Sequence, residues 1–111
     1  MRVSTSVIVA AVVLVGLPCV AAAQGAARGE QVYAAQRCQG CHMIGGKGNK
    51  NSPLDGVGAR LSVADTKEWI VDPVSAAAKH QSTKKPLMPK TYAKLPAADV
   101  DALVAYMQSL K

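Results

Sequence analysis

Five residues constrain this chain more than any others: Cys38-Gln39-Gly40-Cys41-His42. Two thiols separated by two residues, followed at once by an imidazole, form the pattern of a covalent haem-attachment site. Each reactive side chain has a task. The two sulfurs can add to the two vinyl groups of one porphyrin. The two-residue spacing brings both to one side of a helical turn. His42 then lies under the iron and can ligate it.

Other readings of the five residues fare worse. A structural zinc usually takes four Cys or His ligands. Beyond His42 the chain offers no further cysteine and one further histidine, His80. A thioredoxin-like redox pair calls for a βαβ pattern around it, which the sequence lacks.

Residues 1–23 read as a secretory signal peptide. Arg2 precedes a short apolar run from Val7 to Leu17, and Ala21-Ala22-Ala23 supplies a small-residue cleavage site. The rival reading is an uncleaved membrane anchor. Gly16 and Pro18 interrupt the run, and its strongly apolar part is about half of the ~20 residues that a spanning helix needs. Cys19 falls inside this leader. A lipoprotein signal would use it, but by resemblance to that signal a small residue should precede the cysteine, and Pro18 fits poorly. No stable membrane span is expected after cleavage.

Residues 24–111 then form one domain. A core of that size is marginal, and the chain has no Phe. A covalently held haem would supply the missing apolar mass and staple the small scaffold. Thirteen Lys and Arg stand against seven Asp and Glu, and loss of Arg2 leaves twelve against seven. Such a surface favours acidic partners. The basic residues are mostly scattered lysines without interleaved aromatics, which argues against nucleic acid.

Along the domain, 26–37 reads as a helix of good helix formers that runs into Cys38. Gly29, Val32 and Tyr33 share one of its faces. Gly29 costs helix propensity, and close approach to another helix would explain it. Residues 43–53 read as a loop by their turn residues, and 53–60 as irregular chain. Ser62 with Asp65 makes an N-cap for a helix to about Val71, which stops before Pro73. Residues 74–80 can add a further turn, and 81–89 is extended. The clearest helix follows Leu95-Pro96, with Val100, Leu103, Val104, Met107 and Leu110 in one amphipathic stripe. No strand-like alternation of useful length occurs, so the domain reads as all-α.

The sixth position of the iron has four candidates. Met43 directly follows His42 and cannot reach the opposite face. Met107 lies on the last helix's core stripe, where methionine usually packs. His80 sits in a polar segment and would give two histidine ligands. Met88 stands in a loop between Pro86 and Pro89, far enough along the chain to wrap around the ring. Met88 is favoured, with His80 and an open position as the alternatives. A His/Met pair raises the potential and fills both axial positions. That favours outer-sphere electron transfer over chemistry on a bound substrate.

These residues resemble small bacterial class I c-type cytochromes (one haem, His/Met ligated) over essentially all of 24–111. The likeness rests on Gly29 and Tyr33 before the attachment site, then Pro53-Leu54-x-Gly56-Val57 and Trp69-Ile70-x-Asp72-Pro73. Leu87-Met88-Pro89 and Leu103-Val104-x-Tyr106-Met107 follow. The resemblance implies a compact class I fold, with first and last helices crossed around one covalent haem c and Gly29 near Tyr106. It implies that Cys38 and Cys41 carry the haem and that His42 and Met88 ligate the iron. It implies that the Pro53 carbonyl accepts from the other nitrogen of His42. Arg60 and Trp69 become candidate donors to a haem propionate. One departure is that 74–85 looks longer than the shortest members need, which keeps His80 in play.

The expected function is an exported, periplasmic, monomeric electron carrier, not an enzyme. It would shuttle one electron between a dehydrogenase or membrane complex and an oxidase or reductase. Lys47, Lys50, Lys84, Lys85 and Lys90 flank the ligand-bearing loops and would orient the haem edge toward acidic partners. The alternatives are a haem sensor whose sixth ligand gives way to a gas, and a haem subunit of a larger redox enzyme.

Overall fold

Helix α1 spans Pro18–Ala35 in the computed structural model, which describes residues 11–13 and 18–111. Most of the expected leader, 1–10 and 14–17, lies outside the described residues. Helix α1 starts earlier than the expected 26 because the alanine run 21–23 has high helix propensity. Among the described residues, no helix is long and apolar enough to cross a membrane.

Four further helices follow: α2 (Val57–Arg60), α3 (Val63–Val71), α4 (Pro73–Lys79) and α5 (Ala97–Ser109). Short 3-10 turns cover Cys38–Gly40 and Lys90–Lys94. The expected loop after His42 contains a small antiparallel hairpin, β1 (Met43–Ile44) with β2 (Lys47–Gly48). The domain is otherwise all-α, as the sequence leads one to expect.

The largest packing interface joins α1 to α5. Gly29 makes it possible. A Cβ there would collide with the Ala102 carbonyl and lie 2.6 Å from the Tyr106 Cβ. Tyr33 of α1 then meets Tyr106 edge-on, with centroids 5.6 Å apart and planes at 73°, a favourable aromatic arrangement. The core is Val32, Tyr33, Val57, Ile70, Val100, Leu103, Val104 and Met107. Burial of each large apolar side chain contributes about 1.5–3 kcal/mol.

The junctions are specified locally. Ser62 caps α3, accepting from the Asp65 N–H at 3.0 Å while its hydroxyl donates to Asp65 Oδ2 at 2.9 Å. Asp72 caps α4, accepting from the Ser75 hydroxyl at 2.7 Å, and Pro73 opens that helix, where a missing N–H costs nothing. The short α2 went unread in sequence because one turn carries no periodicity. Tertiary bonds hold it: the Gly58 N–H donates to the Leu110 carbonyl at 2.8 Å, and Lys111 Nζ donates to the Gly58 carbonyl at 2.9 Å.

Candidate haem site

Helix α1 ends where Arg37 takes a left-handed conformation, φ 55°. Such a residue turns the chain off the helix axis. Here it feeds the 3-10 turn that carries Cys38. The His42 N–H donates to the Cys38 carbonyl at 2.9 Å, so the five residues close into one compact turn. Gly48 (φ 107°) returns against it, and a Cβ there would strike the His42 carbonyl.

That turn opens onto a cavity of about 510 Å³, within the usual range of cofactor sites. Cys38, Cys41 and His42 line it, as do Trp69 and Met88. The other walls come from Tyr33, Val57, Ile70, Leu103, Met107 and the loop 84–89. Thus α1, α3, α5 and both connecting loops contribute to one largely apolar hollow. The cavity penetrates the core, since Tyr33, Leu103 and Met107 belong to both.

The electrostatics of the turn suit metal ligation. Burial first, and then the nearby Lys84 cation, hold His42 below the ordinary histidine range; a bond to the Ser52 carbonyl opposes them. The neutral imidazole that ligates metals is therefore favoured near pH 7. Its Nδ1 lies 3.1 Å from the Ser52 carbonyl, which leaves Nε2 for a metal. Burial pushes the Cys38 thiol up to about 11.

Two expected residues are placed differently. The carbonyl that meets His42 is that of Ser52, not Pro53. Pro53 pairs in a parallel bridge with Met43, where the Met43 N–H donates to the Ser52 carbonyl at 3.2 Å and the Leu54 N–H to the Met43 carbonyl at 2.8 Å. That register turns the Ser52 carbonyl toward His42 and leaves Pro53 exposed, outside the cavity lining. Arg60 is also exposed and outside the lining. Its guanidinium donates to the Asp55 carbonyl at 2.8 Å, because the single turn of α2 carries it back over residues 55–56.

His80 does not reach the cavity lining. It stacks on Trp69, centroids 5.9 Å apart, with its Nε2 3.7 Å from Asp65 Oδ1. Of the five lysines singled out in sequence, Lys84 and Lys85 line the mouth, while Lys47, Lys50 and Lys90 are exposed beyond it. Sequence reasoning missed Ser52, Asn51 and Tyr92 as lining residues. Tyr92 left one signal, a lone aromatic between Pro89 and Pro96.

Comparison with known proteins decides the family. The family model described as cytochrome c matches residues 26–111. This chain belongs to the cytochrome c family. Cytochrome c oxidase subunit 2 of Alkalihalophilus pseudofirmus is 34% identical over 93 residues, 76% of this chain. The chain spans only 25% of that relative's length. No solved structure matches.

Cytochromes of this family bind haem c covalently, typically one, and transfer electrons through it. The cavity of this cytochrome fits that group. Two thiols, a neutral imidazole and a thioether converge on one apolar hollow. Tyr33, also in its wall, has a buried hydroxyl without a hydrogen-bond partner, and burial pushes that phenol up to about 12. A cofactor with polar substituents can meet such a group. Bound haem supplies an iron that gains or loses one electron. Cys38 and Cys41 would fasten it, and the Ser52 carbonyl would orient His42 toward it.

Proposed function

We propose that this cytochrome is an exported single-haem electron carrier, with His42 and Met88 as axial ligands of the iron. On this reading residues 1–23 are removed on export and 24–111 work in the periplasm as a monomer. One electron passes from a dehydrogenase or membrane complex to an oxidase or reductase with an acidic docking face. Supporting the ligand pair is one observation above others: Met88 lines the same cavity as Cys38, Cys41 and His42, whereas His80 is turned away onto Trp69. Two axial side chains leave no open coordination position, so the iron is suited to outer-sphere transfer with little rearrangement in a largely apolar pocket.

The test is an absorption spectrum of the exported protein beside its Met88→Ala variant. The expected result is a low-spin, methionine-ligated ferric haem that ignores carbon monoxide when reduced. The variant should bind carbon monoxide readily and show a lower potential. A wild-type protein that binds carbon monoxide as readily as the variant would refute the ligand pair.

A second reading has one observation in its favour. The chain is similar to a quarter of an oxidase subunit's length, so it can equally serve as the haem-bearing part of a larger assembly. Co-purification at fixed stoichiometry with an oxidase or dehydrogenase would favour it over a free carrier.

A further inference from the structure

The loop that carries Met88 has little to hold it. Among the described residues, no backbone hydrogen bond ties 83–88 to another element. The last backbone bond before it is from the Ser82 N–H to the Ala77 carbonyl, 2.9 Å, at the end of α4. One side chain crosses from this loop to the opposite lip of the cavity: Lys84 Nζ donates to the Asn51 carbonyl at 3.1 Å. Both residues line the mouth.

The acceptor is well placed to anchor a loop. The Asn51 N–H donates to its neighbour Asn49's Oδ1 at 3.0 Å, and the Asn49 N–H donates to the His42 carbonyl at 2.9 Å. The next residue, Ser52, meets the His42 ring. Consecutive carbonyls of 51 and 52 therefore hold the two loops that would face the iron, one through Lys84 and one through His42. A charged donor on a carbonyl makes a stronger bond than a neutral one.

We propose that Lys84 is a positioning residue: its ammonium latches the Met88 loop onto the Asn51 carbonyl and so sets how often the thioether leaves the iron. This rests on the reading of Met88 as a ligand. Lys84 is then more than one positive charge among several. Lys94, also exposed but on the 3-10 turn beyond the loop, carries the same charge and, among the described residues, no such bond.

The test uses the ferric holoprotein and imidazole as an entering ligand, which binds only while Met88 is off the iron. Methionine ligation is read first, from the wild-type spectrum. Losing a bond of this kind should raise the imidazole binding rate of Lys84→Met about fivefold to tenfold. Lys84→Arg keeps the charge and the donors and should stay near wild type, as should Lys94→Met. Equal acceleration in Lys84→Met and Lys94→Met would reduce the effect to net charge and overturn the latch. So would an unchanged rate in Lys84→Met. A wild-type spectrum without methionine ligation would overturn the Met88 reading and the latch with it. Methionine ligation with unaltered Lys84→Met kinetics would overturn the latch alone. Should Lys84→Met load haem poorly, Lys84→Gln in the same assay carries the same expectation.

Discussion

The α1–α5 pair and the Met88 loop stand at opposite extremes of the same cytochrome. The helix pair is held by protein against protein: Gly29 on the Ala102 carbonyl, Tyr33 edge-on to Tyr106, and Val100, Leu103 and Val104 fully in the core. The loop 83–88 borrows its support, from one lysine and from whatever fills the cavity beside it. The difference teaches where rigidity is needed. Attachment requires a fixed turn, and α1 delivers it. On the proposed ligation, axial closure by the Met88 thioether would need only a tether, which would leave its strength adjustable without disturbing the fold.

The heaviest blow to this contrast is removal of the haem. Emptying a cavity of about 510 Å³ costs up to the order of 10 kcal/mol at about 24 cal/mol per Å³. That is comparable with the whole stability of a small domain. The Cys38→Ala/Cys41→Ala chain should therefore lose cooperative thermal unfolding, followed by circular dichroism. A melt within a few degrees of the holoprotein would mean that the helix pair is self-sufficient.

Next in size is Gly29→Ala. Its methyl has nowhere to go between α1 and the Ala102 carbonyl, and overpacking of this sort costs about 2–3 kcal/mol. Denaturant unfolding should show it, while the haem spectrum stays native. A change in ligation without loss of stability would tie the two regions more closely than the structure suggests.

Smaller effects fall on the α3–α4 arm from which the loop departs. Ser62→Ala removes the α3 cap and should cost about 1 kcal/mol in the same denaturant assay. Smallest is the acid response of the arm. The Lys79 ammonium, at 2.5 Å, and then the Ser62 hydroxyl hold the Asp65 carboxyl below its ordinary value. A depressed folded value means the contribution is present above about pH 4 and fades as pH falls through the folded value. Hydrogen exchange in 76–88 should therefore rise below pH 4 before that of α1 and α5. Asp65→Asn should flatten the response; equal acid sensitivity in the variant would clear Asp65 of the role.

Legibility in sequence follows the same division. The attachment turn was readable because its chemistry depends on residue type and spacing alone. The stripe of α5 was readable because burial imposes a 3.6-residue period, although Ala102, also buried, carries too little surface to mark itself. Gly29 announced a close approach by breaking helix propensity. What failed depended on register or on distant partners. Pro53 and Ser52 differ by one position, and only the pairing with Met43 decides which carbonyl meets His42. Arg60 looked free to reach a propionate, yet it lies outside the cavity lining and donates to the Asp55 carbonyl five residues back. The hairpin and α2 are too short for any period to appear.

The clasp of the first helix on the last also sets a timetable. Gly29 finds its partners only once residues 102–106 exist, so the whole chain must emerge before α1 can be covered. Until then Cys38 and Cys41 stand in open water. Once the clasp shuts, burial raises the Cys38 thiol to about 11 and disfavours its thiolate. The first helix is therefore covered last, and from the far end of the sequence.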